Sequence, residues 1–415
     1  MMAATTSGPR VAPLLRNLAL LSASVIVCSA CLELGLRATH LFGARVSWAT
    51  PDPVLGYRFV PGAAYWSIQE SNHPISGSIN RFGWRDREWS VTKQAGSYRI
   101  AILGDSFVEA MQVEADSTFL ALAEAALTSA TGHPVELMNF GRSGYTQSEE
   151  LLVLEREVLR FAPDMVVLCF FPGNDIADID RVTSSGLQRP FFVPSTAGLV
   201  LDTSFAASMT YVIRSDLDLV KRHSIVVSLL SERYSAWQLS QRSAAGRGLD
   251  GYLSLCTRDP IPTYVQNYGL NKRLMQKMAS ILAGRGIRFG IMALPLPAYM
   301  PSMNRRFSAL DATFDPNYYD KDLATFGAAN DVAILGLETT FGEAYRMEGP
   351  PLNWQNVGHW TYAGHRVVAG ALTSWLRPIV AGHFARPAQG AETGAVNRRE
   401  SASAHSARTS SMRSW

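Results

Sequence analysis

Hydrophobic positions fall into three regimes along this chain. From Asn17 to Leu32 no charge interrupts an apolar run; Glu33 breaks it, and Leu34-Gly-Leu36 extends it before Arg37. From Ile100 onward, short apolar blocks alternate with stretches of helical spacing. Strand Ile100–Leu103 leads to helical spacing over Val108–Val113 and Ser117–Ala130, strand Val135–Phe140 to helix Gln147–Arg160, and strand Met165–Phe171 is a continuous apolar run, as a strand buried on both faces requires. The rhythm breaks between Ile176 and about Tyr268, where Leu217–Val227 and Leu229–Gln241 read as helices and Ser184–Ala206 as loop. It returns with helix Leu270–Gly284, strand Ile287–Leu294, helix Lys321–Ala329, strand Val332–Leu335 and a final amphipathic helix to about Arg377. Five strands alternating with helices predict an α/β fold, a parallel sheet in a three-layer α/β/α sandwich.

These regimes set the expected domain organisation: an N-terminal cytoplasmic segment 1–16, a transmembrane signal anchor 17–37, a turn-rich extension 38–96, an α/β domain 97–380 with an insertion 177–268, and a disordered tail 385–415. About 20 apolar residues span a bilayer, so the first run qualifies if Glu33 lies at its edge. A cleaved signal peptide and a buried core helix are the competing readings. Arg10 and Arg16 ahead of the run place the N-terminus in the cytoplasm and the domain on the extracytoplasmic, periplasmic side of a single-pass membrane protein. The tail, made of Ser, Ala, Arg, Gly and Glu, has too little to bury to order itself. The extension, with Asp52-Pro-Val-Leu-Gly-Tyr-Arg58 and Ile79–Glu88, reads as strands and turns between membrane and domain, and Arg85, Asp86, Arg87 and Glu88 as a solvated ion-pair network. The insertion follows a strand that carries polar residues at its end, the usual place of a lid or substrate wall; a helical decoration is the alternative.

Composition narrows the function classes. A formal net charge of +3 and the absence of a basic run interleaved with aromatics argue against a nucleic-acid partner. The four cysteines, Cys28, Cys31, Cys169 and Cys256, have neither disulfide-framework nor zinc spacing, and no metal or cofactor is expected.

Candidate chemistry lies just past the strand ends. Loops after parallel strands all emerge at the carboxyl edge of the sheet, where open α/β sheets bind ligands. Ser106 in Gly104-Asp105-Ser106 follows the first strand, Gly144 in Asn139-Phe-Gly-Arg-Ser-Gly144 the second, and Asn174 in Gly173-Asn174-Asp175 the third, while His359 precedes the last helix. Gly-Asp-Ser alone is an ordinary turn with a capping serine. Four such positions converging have the chemistry of acyl transfer: Ser106 a nucleophile needing a base, His359 that base, and the Ser106 and Gly144 N–H groups with the Asn174 amide as oxyanion donors. Gly104 permits the tight turn, Asp105 fixes it through backbone hydrogen bonds, Asp175 has a similar supporting place, and His365, inside the helix, reads as structural.

In order and place, these four blocks resemble the SGNH (GDSL-type) hydrolase family, and the membrane run with its Gly-Tyr-Arg and Asn-x-x-Gly-Trp-Arg preamble resembles membrane-attached bacterial members. The resemblance covers roughly residues 98–178 and 286–378. It implies a flavodoxin-like sandwich without a metal, Ser106 as nucleophile, Gly144 and Asn174 as oxyanion donors, and His359 as base. The family places an aspartate three residues before the histidine, where this chain has Asn356. Asparagine can orient the ring but cannot stabilise the imidazolium by charge, so either a Ser–His dyad operates, another acid assists, or activity is weak. The expected function is a membrane-anchored serine esterase acting through an acyl-enzyme on an acylated small molecule or glycan, with O-acetyl groups of an envelope glycan as candidate substrate. The alternatives are an envelope glycan O-acyltransferase and a non-catalytic glycan-binding member of the fold.

Overall fold

The computed structural model describes residues 11–39, 48–68, 70–71, 73–196, 198–242, 249–347, 349–354 and 358–385. Residues 1–10, Asn356 and the tail beyond Ala385 lie outside the described residues. Helix α1 (Val11–Thr39) is followed by two antiparallel hairpins, β1 (Ala49–Asp52) with β2 (Gly56–Phe59), and β3 (Ala64–Ile68) with β4 (Pro74–Ser78). The α/β domain then runs β5 (Tyr98–Gly104), α2 (Ser106–Glu109), α3 (Phe119–Thr131), β6 (Val135–Gly141), α4 (Gln147–Arg156), β7 (Met165–Phe170) and α5 (Pro172–Ala177). An insertion follows, of hairpin β8 (Phe191–Ser195) with β9 (Gly198–Asp202) and helices α6 (Met209–His223) and α7 (Ile225–Arg242). The chain closes with α8 (Pro262–Ala283), β10 (Arg288–Ala293), α9 (Pro301–Leu310), α10 (Tyr318–Asn330), β11 (Ala333–Gly336), α11 (Glu338–Arg346) and α12 (Tyr362–Phe384).

Five strands form one parallel sheet in the order β6-β5-β7-β10-β11, the flavodoxin-like arrangement. Alternation along β5 shows why both faces are covered. Ala101 and Leu103 pack with Leu151 and Leu154 of α4, Leu274 and Met278 of α8 and Leu323 of α10. Ile100 and Ile102 point the other way, into a second core with Leu127 of α3, Phe341 of α11 and Leu372 and Leu376 of α12. All seven residues of β5 are buried, so a one-residue register slip would exchange the two cores' contents. Strands are added to one side of β5 (β6) and then to the other (β7, β10, β11), so the switch point lies between β5 and β7, and the crevice outside those two carboxyl ends receives Ser106 and Asn174.

Several local expectations change. The helix expected over Val108–Val113 stops early; α2 ends at Glu109 because Ala110 takes a left-handed conformation (φ 56°). Ser184–Ala206, read as loop, contains the β8–β9 hairpin. Helix α12 continues past Arg377, through Pro378, to Phe384, because Tyr98 packs on His383 and Phe384 with ring centroids 4.9 and 6.5 Å apart. The extension is more than a spacer: Trp84 and Trp89 sit in the main core. Arg85 is not part of a solvated network. It is buried, donating to the Tyr65 hydroxyl (2.7 Å) and to the carbonyls of Glu109, Ala110 and Val113. Its charge-assisted bonds close the turn after α2 with an arginine from 24 to 28 residues upstream. Asp86 is also shielded, and burial pushes its carboxyl up to about 6.

Candidate active site

The site starts at the end of β5. Gly104 lies where a Cβ would overlap the Val108 side chain, so only glycine lets α2 fold back against the strand. Asp105 caps α2 by accepting the Phe107 N–H at 2.9 Å, which leaves Ser106 as the first helical residue. Ser106 is partly exposed at that turn, and its own N–H belongs to the group of first-turn donors that have no intrahelical partner. Burial pushes the Asp105 carboxyl up to about 6, against the Phe107 N–H and the nearby His359, which favour its charged form.

His359 reaches Ser106 from the loop before α12. Its Nε2 lies 2.8 Å from Ser106 Oγ. The loop is tied down on every side: Trp354 N–H donates to the His359 carbonyl (2.8 Å), Asn353 Nδ2 to the Gly358 carbonyl (2.6 Å), and the Tyr299 hydroxyl to Asn353 Oδ1 (2.5 Å). Thr361 caps α12 by accepting from the Ala363 and Gly364 N–H groups. The ring itself rests against Phe107, centroids 4.9 Å apart.

The side of the ring away from Ser106 holds Glu70, from the turn between β3 and β4. Its Oε1 is 3.0 Å from His359 Nδ1, and its Oε2 accepts the His359 backbone N–H at 2.7 Å. One carboxylate thus grips both the ring and the backbone of the same residue. Gly358 makes the approach possible, since a Cβ there would come within 2.5 Å of Glu70 Oε2. Partial burial raises the Glu70 pKa, but the hydrogen bonds and charge of His359 outweigh it and hold the carboxyl below its ordinary value. A carboxylate accepting from Nδ1–H fixes the tautomer whose Nε2 lone pair faces the serine hydroxyl. The orienting place that sequence reasoning gave to Asn356 is filled by Glu70, 289 residues from the histidine.

The loop bearing Gly144 is braced rather than merely placed. Asn139 bridges β6 to α2, donating to the Val108 carbonyl (2.9 Å) and accepting from the Gly141 N–H (2.9 Å). Glu109 of α2 accepts the Ser143 N–H (2.5 Å), the Tyr57 hydroxyl donates to the Ser143 carbonyl (2.5 Å), and Arg189 Nη2 donates to the Gly144 carbonyl (2.7 Å). Gly144 is exposed at the tip with φ 72°, a backbone conformation that favours glycine. Asn174 Nδ2 donates to the Tyr145 carbonyl (3.1 Å), so Asn174, just past β7, is tied to the loop after β6. Asp175 lies behind it, buried, accepting from Phe171 N–H (2.8 Å) and Gln147 Nε2 (2.9 Å); burial and the neighbouring Asp105 raise its pKa well above the ordinary carboxylate value. His365 is buried, its Nδ1 accepts the Phe119 N–H at 3.2 Å, and burial lowers its pKa to about 3. Among the described residues no group of His, Cys, Asp and Glu side chains could hold a metal ion.

The structure therefore brings Ser106 and His359 into direct contact, with Asp105 capping the turn that carries the serine and Asn174 bonded to the residue after Gly144. Sequence reasoning missed Glu70, Glu109, Tyr57 and Arg189. The last belongs to the insertion, whose Arg189, Ser185 and Gln188 line a cavity of about 220 Å³ with Ser143 and Gly144.

No family model and no curated protein matches the sequence. Among solved structures, the chain is similar to an acetylxylan esterase from Geobacillus stearothermophilus (12% identity, 69% of this chain and 96% of that chain, TM-score 0.38). It is also similar to a lipase/acylhydrolase from Enterococcus faecalis (12% identity, 68% and 96%, TM-score 0.34). A third is an α/β hydrolase enzyme from the metagenome of Lake Arreo, Spain (14% identity, 70% and 97%, TM-score 0.38). At these identities and scores the comparison carries no weight on activity. The chemistry rests on the side chains.

Another buried acid gives a stability prediction. Glu338, at the start of α11, accepts the Leu296 N–H at 2.7 Å, and burial, with Asp320 beside it, pushes its carboxyl up to about 8. An unfolded glutamate titrates near 4.5, so between those values the native state holds a proton that the unfolded state has released, and stability falls as pH rises through this window. Glu338→Gln should remove a loss on the order of a few kcal/mol. Thermal melts of both proteins at pH 5 and pH 8.5 check it: the variant should gain on the wild type at the higher pH, and an unchanged difference would refute the assignment.

Proposed function

We propose that this chain is a membrane-attached serine esterase of the SGNH type, hydrolysing acyl esters through an acyl-enzyme. The observation that carries the proposal is the continuous hydrogen-bonded row Ser106 Oγ, His359 Nε2, His359 Nδ1 and Glu70, with links of 2.8 and 3.0 Å. Neutral His359 takes the Ser106 proton as Oγ attacks the ester carbonyl. The tetrahedral oxyanion is met by the Ser106 and Gly144 N–H groups and the Asn174 amide. Collapse expels the alcohol, protonated by the imidazolium, and leaves the acyl group on Ser106. Water, deprotonated by His359, then attacks the acyl carbonyl and releases the acid. Glu70 stabilises the imidazolium in both halves.

The acyl group is proposed to be small, with O-acetyl groups of an extracytoplasmic glycan as substrate. Helix α1 supports the attachment: the most apolar 18-residue window of Pro13–Thr39 has a mean hydropathy of 2.0, and none of it is buried. Arg10 and Arg16, ahead of its uncharged apolar run, favour an extracytoplasmic domain.

The test is acetate release from p-nitrophenyl acetate and acetylated xylan by the full chain in detergent micelles. Saturable release is expected, and none on either substrate would refute an esterase. Acetate that leaves the donor but is recovered on an added sugar, increasing with acceptor, would replace hydrolysis by acyl transfer.

A further inference from the structure

Helix α6 is turned the wrong way for a helix covering a soluble domain. Met209, Val212, Ile213, Leu217, Leu219 and Val220 share one broad face at helical spacing, and each is between 45% and 73% exposed; the exposed Asp216 is the one acid among them, at a level where a headgroup can meet its charge. The polar face is the one that docks. Asp218, only 5% exposed, accepts the Thr50 hydroxyl at 2.7 Å and pairs with Arg222 at 2.9 Å, and Arg214 and Lys221 line a cavity against Thr50 and Tyr57. An ordinary amphipathic helix would exchange these faces.

What lies next to that apolar face follows from how the α6–α7 corner is fastened. Glu33 of α1 caps α7, accepting the Ile225 and Val226 N–H groups and the Ser224 hydroxyl, all at 3.0 Å. Arg37, paired with Glu33 at 2.7 Å, donates to the His223 carbonyl at the end of α6, also at 2.7 Å. Glu33 stands where the apolar run of α1 ends, so this clamp sits at the depth where hydrocarbon gives way to headgroups. A helix end fixed there, with apolar residues outward and basic residues flanking them, has the make-up of an interfacial helix.

We infer that α6 is a second membrane contact, its Met209–Val220 face lying in the headgroup and upper acyl region of the bilayer that α1 enters. The inference rests on the proposed membrane attachment through α1. Arg214 of the same helix also lines the cavity beside Ser143 and Gly144, so the helix laid on the bilayer reaches the loop that carries Gly144.

The experiment uses the full chain in phosphatidylcholine–phosphatidylglycerol vesicles containing nitroxide-labelled acyl chains. In a Cys28→Ser, Cys31→Ser background, Ile213→Cys or Val220→Cys is labelled with an environment-sensitive fluorophore; Cys169 and Cys256 are buried. A label on Cys28, with Cys31→Ser, reports on α1. The expected result is at least twofold quenching at 213 and 220 relative to nitroxide-free vesicles, independent of protein density, with Cys28 also quenched. Quenching at Cys28 without quenching at 213 or 220 overturns the inference and leaves the anchor standing. An unquenched signal at 213 that shifts with protein density assigns the face to a second copy and also overturns it. No quenching at Cys28 overturns the anchor, and the inference with it.

Discussion

Replacing Glu70 by glutamine is expected to lower kcat for ester hydrolysis by about 10⁴ while leaving the fold intact. The size follows from the number of acceptors. Glu70 accepts from two His359 donors at once, the backbone N–H at 2.7 Å and Nδ1–H at 3.0 Å. A glutamine side chain offers one oxygen and one NH₂. If the oxygen keeps the backbone bond, the NH₂ faces Nδ1 and drives the ring proton to Nε2, which can then no longer accept from Ser106. If the oxygen faces Nδ1, two donors oppose each other at the backbone and the loop must shift. Either way the imidazolium loses its anionic partner. Steady-state kinetics on p-nitrophenyl acetate with a parallel melt check this: a large fall in kcat with an unchanged Tm is expected, and a fall of less than tenfold would mean that Glu70 holds the loop without serving the chemistry.

Much of this site was legible because its parts follow strand ends. The continuous apolar runs at β5 and β7 and the alternation along the chain imply a parallel sheet, and a parallel sheet delivers Ser106, Gly144 and Asn174 to one edge without further information. His359 was legible from the loop before the last helix. Glu70 was not, for a physical reason. It sits in Gln-Glu-Ser-Asn-His, a polar turn between two short strands of the extension, and nothing local distinguishes a hairpin glutamate facing solvent from one facing a histidine 289 residues away. The signal that could have found it was indirect: Asn356 leaves the imidazolium without an acid, so a carboxylate had to come from elsewhere. The supports of the Gly144 loop were hidden in the same way, since Glu109, Tyr57 and Arg189 arrive from three separate segments. The direction in which α6 faces was equally hidden. Its periodicity gives an apolar and a polar face, and only tertiary contacts such as Asp218 with Thr50 determine which of them is covered.

The central claim is that Ser106 and His359 act as one unit, and the kinetics of Ser106→Ala, His359→Ala and the double variant measure it most directly. A serine hydroxyl without its base is a poor nucleophile, and the base without the serine has nothing to deprotonate in the first step. Removal of either member should therefore cost about 10⁶ in kcat, close to the effect of removing both. The 2.8 Å contact between Nε2 and Oγ is what makes the two losses overlap. The account predicts three variants with nearly equal residual rates on p-nitrophenyl acetate and unchanged melting temperatures. Wild-type turnover in Ser106→Ala, or single losses that multiply in the double variant, would contradict it.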